Sequence, residues 1–321
     1  PLDELSISPE GLSPRLIKNG YDSYSMLNGR VYALPLDPSV QIFLYRTDLF
    51  HDAKLCRAYY ERFHENLVVP TTYEQYLHAA EFFTRSCNPD SPTEYGTTMT
   101  CGSASVAASD FLPFYLSRID RFGSTPETLR LDCPEMQAAM RQYHALEKFS
   151  CKQNWWGDSI QKFAEGKTAM TVIYSNYAAE LINSGNSVVV GRVGAAVLPG
   201  CKPLLGGGIV GISRYSQKAE ACKQFFHWYY SADVASLLVR LGGTSPIVDA
   251  YEDFQNYSIF PWMNTSKKSF GLGQRGVKNQ TPERFSIPKY EFAVGTAVRN
   301  VVQDLMTPED ASRMAQALYD A

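Results

Sequence analysis

Three short segments combine aromatic rings with small polar side chains beside an expected strand or helix. They are Leu36-Asp37-Pro38-Ser39, Asn154-Trp155-Trp156-Gly157-Asp158 and Tyr174-Ser175-Asn176-Tyr177. Rings stack on apolar C–H faces, while carboxylate, amide and hydroxyl groups bind a rim of hydroxyls, which is the chemistry of carbohydrate recognition. Core packing explains any single aromatic residue at least as well. Adjacent residues cannot both face one interior, so we expect either Trp155 or Trp156 to be exposed.

The sequence lacks the spacings that catalysis or metal binding usually requires. Its five histidines form no H-x-H or H-E-x-x-H pattern, and Cys101-Gly-Ser-Ala-Ser is not a G-x-S-x-G elbow. The run Gly206-Gly207-Gly208 has no phosphate-binding lysine and suits a close chain crossing, where a sugar can lie against bare backbone. We therefore predict no catalytic residue, no metal and no cofactor.

Composition excludes several other classes of protein. A chain of 321 residues is about twice the usual domain length, so two lobes are expected. The net charge of −3 comes without a dense basic stripe, which argues against direct nucleic-acid contact. No apolar run reaches the roughly 18 to 20 residues of a transmembrane segment. The seven cysteines contain no C-x-x-C pair and indicate neither a zinc site nor a disulfide framework.

Short apolar runs alternate with helical periods, which is typical of an α/β protein. Helices are predicted to begin at Thr71, with Glu74 as its capping partner, at Pro134, near Ser216 and at Pro308. Between residues 251 and 289 the pattern weakens and predicts a loop-rich segment. The predicted strands are Val31–Pro35, Gln41–Tyr45, Ala169–Tyr174, Ser187–Val193, Ala195–Leu198 and Ile209–Ser213.

Several longer motifs follow one another in a familiar order. They are Asn28-Gly-Arg-Val-Tyr-Ala-Leu-Pro35, Phe43-Leu-Tyr45-Arg-Thr-Asp-Leu-Phe50, Phe163-Ala-Glu-Gly166-Lys-Thr-Ala-Met170, and Leu198-Pro-Gly200 followed by Gly206-Gly-Gly-Ile-Val-Gly-Ile-Ser213. In this order they resemble the bacterial ABC-transporter extracellular solute-binding proteins of the carbohydrate type, relatives of maltose-binding protein. The resemblance runs from about Leu2 to about Ser245.

The resemblance implies a two-lobe, periplasmic-binding-protein-like fold of type II, in which hinge strands join the lobes and close them on a sugar. Residues 1–45 and 205–250 then belong to the N-terminal lobe and residues 46–204 form the C-terminal lobe. Residues 251–321 form a loop-rich segment and terminal helices that pack across both lobes. Family members carry several strands and helices before the point that matches Pro1, so we expect the first lobe to be incomplete in this sequence.

Position within the family also implies the ligand-binding residues. Relatives often place a stacking tryptophan at Asn176, so we add Trp155, Trp156 and Trp262 as substitutes on the basis of composition alone. The residues implied by position are Asp37, Ser39, Asp110, Phe111, Tyr174, Asn176 and Gly207.

The favoured function is a carbohydrate receptor, for a mono- or oligosaccharide, that delivers its ligand to the membrane subunits of an ABC transporter. The resemblance implies an extracellular, membrane-anchored lipoprotein. The alternative is a cytoplasmic sugar-sensing effector domain of a transcriptional regulator with a DNA-binding head upstream, in which ligand shifts a population of two conformations. The seven cysteines fit that alternative better. A carbohydrate-active enzyme is the third and least supported hypothesis.

Overall fold

The computed structural model describes residues 1–13, 15–17, 25–119, 130–183, 185, 187–275 and 286–321. Strands alternate with helices along these residues, as predicted for an α/β protein. The strands are β1 (Met26–Leu27), β2 (Arg30–Val31), β3 (Ala33–Pro35), β4 (Ser39–Arg46), β5 (Thr97–Thr100), β6 (Ser150–Gln153), β7 (Met170–Tyr174), β8 (Val193–Ala196), β9 (Leu205–Gly206) and β10 (Ile209–Gly211).

The helices of the described residues range from single turns to sixteen residues in length. They are α1 (Pro9–Leu12), α2 (Thr47–Phe50), α3 (Ala53–Phe63), α4 (Tyr73–Phe82), α5 (Ala104–Leu116), α6 (Pro134–Glu147), α7 (Trp156–Ala164), α8 (Glu180–Asn183), α9 (Ala219–Tyr229), α10 (Ala232–Arg240), α11 (Asp249–Glu252), α12 (Phe254–Ile259), α13 (Met263–Leu272), α14 (Ile287–Val302) and α15 (Pro308–Asp320). Short 3-10 turns occur at Leu2–Leu5, Ser175–Tyr177 and Pro199–Cys201.

Strand β4 runs through the centre of the fold. It is rich in β-branched and aromatic residues, and almost all of its residues are buried, so both of its faces are covered. It pairs antiparallel with β7, β8 and β9. Because side chains alternate along a strand, Phe43 packs into one hydrophobic core while Ile42 and Leu44 pack into another. One strand therefore contributes to both cores.

The two cores draw on largely different helices, and α7 contributes to both, with Trp156 in the first core. The first contains side chains of α2 to α6, α14 and α15, including Tyr76 and Val298. The second contains side chains of α7 to α11 and α13, including Phe163 and Tyr230. Helix α7, which lies within the expected C-terminal lobe, thus shares a core with strand β3 and its residue Leu34. The lobe boundaries near residues 45 and 204 stay a prediction.

The remaining strands form short pairs. Strands β3 and β10 pair antiparallel, as do β1 and β2. Strands β5 and β6 pair in parallel, with Thr97 opposite Ser150. Neither β5 nor β6 was predicted, because their sequences, Thr-Thr-Met-Thr and Ser-Cys-Lys-Gln, contain almost no apolar residues. Polar strands give no hydrophobic signal, whether buried like β5 or only partly buried like β6.

Several predicted strands are confirmed and one is wrong. Strands β4, β7 and β10 form where they were predicted, and the segment 31–35 is divided between β2 and β3. The expected strand over Ser187–Val193 does not form: this stretch turns, with Gly191 at φ 75°, and β8 begins only at Val193. A left-handed backbone at glycine breaks the extended conformation that the valines favour.

Helix starts are confirmed at Pro134 and Pro308, whereas two others are shifted. The capping box uses Thr72, whose hydroxyl accepts a hydrogen bond from the amide of Gln75, rather than Thr71 with Glu74. Helix α9 begins at Ala219 rather than near Ser216.

The expectation of loops between residues 251 and 289 is wrong for the first half of that segment. It contains α12 and α13, and α13 buries Met263 and Phe270 in the second core. Ser266 and Ser269 are buried on α13 as well, so small polar residues on the packed face hid its helical period. Residues 276–285 of the segment lie outside the described residues.

Candidate ligand-binding cleft

A cleft with a volume of about 310 Å³ opens where β4 and β9 run side by side. Strands form its floor, and the first turns of α5 and α7 reach its walls. Its lining residues are Asp37, Ser39, Ser105, Val106, Ser109, Trp155, Trp156, Tyr174, Asn176, Tyr177, Gly206, Gly207, Arg275 and Glu291.

The floor of the cleft depends on a close chain crossing. Ser39 of β4 lies opposite Gly206 of β9, and Gln41 lies opposite Tyr174 of β7. A Cβ atom at Gly206 would come within 2.6 Å of the Tyr174 ring, so only glycine lets the ring lie on the strand. The crossing predicted from the glycine run is therefore present, and it brings Ser39, Tyr174 and Gly206 together.

Gly207 fixes the position of an acidic side chain at the cleft. Its φ is 95°, and a Cβ atom there would lie 2.1 Å from the Asp37 carbonyl oxygen. The next amide, that of Gly208, donates a hydrogen bond of 2.5 Å to Asp37 Oδ1. A glycine in left-handed backbone thus holds the exposed Asp37 carboxylate against the return strand.

The two adjacent tryptophans have different surroundings. Trp155 is 50% exposed and meets Tyr177 edge to face, with ring centroids 6.4 Å apart. Trp156 is 3% exposed and meets Tyr174 edge to face at 5.1 Å. The expectation that one ring is exposed is confirmed, and that ring is Trp155.

A buried amide oxygen also lines the cleft. Asn176 Oδ1 has no hydrogen-bond partner among the described residues, although it is shielded from solvent. An unsatisfied buried acceptor is unfavourable, and a ligand hydroxyl can satisfy it. Nearby, burial raises the pKa of the Tyr174 phenol above its ordinary value, against the lowering effect of Arg275.

An ion pair that the sequence reasoning missed closes another side of the cleft. Arg275 Nη2 lies 2.7 Å from Glu291 Oε1, and Arg275 Nη1 donates a hydrogen bond of 3.1 Å to the Leu205 carbonyl. Burial raises the pKa of Glu291, while the charge of Arg275 lowers it. The sequence does carry a signal for Glu291, because it is a charged residue within the apolar run from Tyr290 to Val294. Arg275 gave none.

Helix α5 contributes a further wall through two serines that were not predicted, in place of the predicted Asp110 and Phe111. Ser105 and Ser109 are one helical turn apart and both reach the cleft. Buried Gln41 ties this helix to the crossing, because its Nε2 donates to the Ser109 carbonyl at 2.7 Å and its Oε1 accepts from the Leu204 amide at 2.9 Å. The i, i+4 pair of serines was a weak signal for this wall.

Three predicted site residues do not line the cleft. Phe111 is fully buried in the first core, and Trp262 is 4% exposed and packs against Phe260 in the second. Asp110 is buried as well: its Oδ2 accepts hydrogen bonds from the Tyr143 hydroxyl at 2.7 Å and the Thr100 amide at 3.1 Å. Asp110 and Phe111 follow the cleft-lining Ser109 on helix α5, which turns by about 100° per residue, so their side chains leave the cleft.

A family model of bacterial extracellular solute-binding proteins matches residues 2–262 of the chain. The chain belongs to this family. The two-lobe α/β fold implied by the sequence motifs is confirmed by this match and by solved structures of similar fold.

Three solved solute-binding proteins illustrate the similarity of fold. An ABC-transporter solute-binding protein from Agrobacterium radiobacter K84, in complex with ribitol, is 21% identical, with a TM-score of 0.75 over 94% of this chain and 74% of the other. One from Agrobacterium vitis S4, with bound D-mannitol, is 20% identical, with a TM-score of 0.75 over 100% and 79%. Maltose-bound MalE3 of T. maritima is 19% identical, with a TM-score of 0.75 over 99% and 78%.

Three further observations concern metal-binding groups, helix length and cysteines in the described residues of this solute-binding protein. Its described residues bring together no group of three or more His, Cys, Asp or Glu side chains that could hold a metal ion. Within the same residues, every helix is too short or too polar to cross a membrane. All seven cysteines are free thiols.

Proposed function

We propose that this solute-binding protein binds a carbohydrate or a related polyol in the cleft at the strand crossing. The observation that carries the proposal is the combination of an exposed ring, Trp155, with the Asp37 carboxylate and the unsatisfied Asn176 oxygen in one cleft. An apolar ring beside fixed polar groups matches the two surfaces of a sugar. The ribitol, mannitol and maltose held by proteins of the same fold support this ligand class.

In the proposed mechanism the protein binds and releases its ligand without changing it. Strands β4 and β9 act as the hinge, and ligand bound between the lobes stabilises the closed form. Ser39, Tyr174 and Gly207 shape the floor, Trp155 stacks on the sugar, and Asp37 and Asn176 bind its hydroxyls. The lobes divide near residues 45 and 204, and the terminal helices pack across both.

The proposed partners are the membrane subunits of an ABC transporter, which receive the closed, ligand-bound form. This places the protein outside the cell, held at the membrane as a lipoprotein. The family match favours this receptor over the cytoplasmic sugar-sensing regulator.

A thermal-shift panel of monosaccharides, oligosaccharides and polyols tests the ligand class. At about 100 times its dissociation constant, the correct ligand should stabilise the protein by about 2.7 kcal/mol. A melt that shifts with amino acids, peptides or metal ions, but with no sugar or polyol, would show that the ligand class is wrong.

A further inference from the structure

The cleft is lined by few charged side chains, and acidic ones outnumber basic ones among the described residues. Among the described residues that line it, Asp37 and Glu291 are acidic and Arg275 is basic. Their formal charges therefore leave the lining one unit negative. Asp37 lies on the exposed side of the cleft, whereas Glu291 and Arg275 lie on the side formed by α14 and the segment after α13.

Arg275 is already engaged by the protein. Its guanidinium contacts the Glu291 carboxylate at 2.7 Å and the Leu205 carbonyl at 3.1 Å, and the Glu291 side chain is only 9% exposed. An anionic ligand that claimed Arg275 would have to share it with Glu291 or displace that carboxylate. A buried carboxylate that loses its cation is strongly destabilising. Arg275, the one basic residue among the described lining residues, is thus a weak anchor for a second negative charge.

The dipoles of the helices at the cleft do not make it favourable for an anionic ligand. The amino-terminal turns of α5 and α7 reach the cleft and each adds about half a positive charge. Both helix starts already have polar partners from the protein. Asp158 lies in the first turn of α7, and the hydroxyl of Ser103 accepts a hydrogen bond from the amide of Val106 at the start of α5. The amide groups of these turns suit neutral hydroxyl oxygens, which accept hydrogen bonds without bringing a charge.

We infer that the cleft discriminates against anionic sugars, and that the Arg275–Glu291 pair, with Asp37, sets this selectivity. The inference rests on the proposed carbohydrate function and narrows its ligand to neutral sugars and polyols. Uronates, aldonates and sugar phosphates would place like charge beside Asp37 and Glu291. Like-charge contacts inside an interface are strongly unfavourable.

The test compares ligands that share a skeleton and differ by one carboxylate, using the full chain. The pairs are glucose with glucuronate, galactose with galacturonate, mannitol with mannonate and maltitol with maltobionate. In every pair that binds, the anionic member should bind about tenfold more weakly or worse, as measured by calorimetric titration. Equal or tighter binding of an anionic member overturns the inference while leaving the carbohydrate function intact. If no member of any pair binds, both proposals fail.

Two variants assign the selectivity to residues. Glu291→Gln removes one negative charge from the cleft lining and should reduce the neutral-to-anionic affinity ratio by about tenfold, while Asp37→Asn, which leaves the buried pair untouched, should reduce it less. The matched control is Glu309→Gln, because Glu309 pairs with Arg141 on the exposed surface, outside the cleft. A ratio that stays at the wild-type value in both cleft variants overturns the assignment. Asp37→Asn keeps this test decisive if Glu291→Gln does not fold.

Discussion

The cleft wall and the interior directly behind it are built from neighbouring residues with opposite surroundings. Trp155 is half exposed in the cleft, whereas Trp156, although it borders the cleft, is 3% exposed and belongs to the first core. Ser109 lines the cleft, whereas Asp110 is buried against Tyr143. A step of one residue therefore separates ligand contact from core packing. Sequence locates such a site only to within one residue, and the direction of the side chain decides the role, since Ser109 and Asp110 are both buried.

The largest expected effect lies on the interior side of this comparison. Trp156→Ala removes a buried ring that packs against Tyr174 and should lower the free energy of unfolding by about 3 to 5 kcal/mol. Chemical denaturation measures the loss. Trp156→Phe, which keeps a ring, should lose less. If Trp156→Ala proves as mild as a surface substitution, the division between wall and interior is wrong.

Asp110 offers a second test through pH. Burial raises its pKa from 3.8 to about 7, against the lowering effect of hydrogen bonds from Tyr143 and Thr100. The unfolded chain loses this proton near pH 4 while the folded protein keeps it, so stability should fall by a few kcal/mol as pH rises from about 4 to about 7. Unfolding measured across this range checks the slope.

Asp110→Asn is the matching variant, because an amide oxygen can accept the same hydrogen bonds without titrating. The variant should lose this part of the pH dependence and should match the wild type most closely near pH 4. A wild-type slope that persists in Asp110→Asn would assign the titration to another group.

The third effect is expected at the floor of the cleft. Gly207→Ala combines a φ of 95° with a Cβ atom 2.1 Å from the Asp37 carbonyl, and should lower stability by about 1 to 3 kcal/mol and weaken sugar binding. Gly29→Ala is the control, because Gly29 has a φ of 75° but nothing within 4 Å of its added Cβ. Equal losses in the two variants would show that the crossing tolerates a side chain.

Much of the fold could be predicted from local sequence. Apolar runs with β-branched residues located β4 and β7, and prolines after capping residues located α6 and α15. Those signals are strong because each follows from the geometry of one element. The parallel pair β5 and β6 escaped prediction, since β5 is buried but polar and β6 is polar and largely unburied. Helix α13 escaped for the same reason, through Ser266 and Ser269.

The cleft was predicted in part. Asp37, Ser39, Tyr174, Asn176 and Gly207 flank a strand crossing that the motif order indicated, and the structure brings them together. Arg275 and Glu291 come from two elements distant in sequence from the crossing, and their pairing arises only from tertiary packing. No local pattern encodes which face of α14 meets the segment after α13. Their identification required coordinates.

The smallest expected effect on stability is at Trp155, where the effect on binding is decisive. Trp155→Ala removes a half-exposed ring, so the free energy of unfolding should change by no more than about 0.5 kcal/mol. Loss of stacking should weaken sugar binding by about 1 kcal/mol, which is about a fivefold rise in Kd. Trp228→Ala is the matched control, because Trp228 is 58% exposed and lies outside the cleft. Unchanged affinity in Trp155→Ala, or an equal loss in Trp228→Ala, would remove Trp155 from the binding surface and leave the adjacent tryptophans different only in burial.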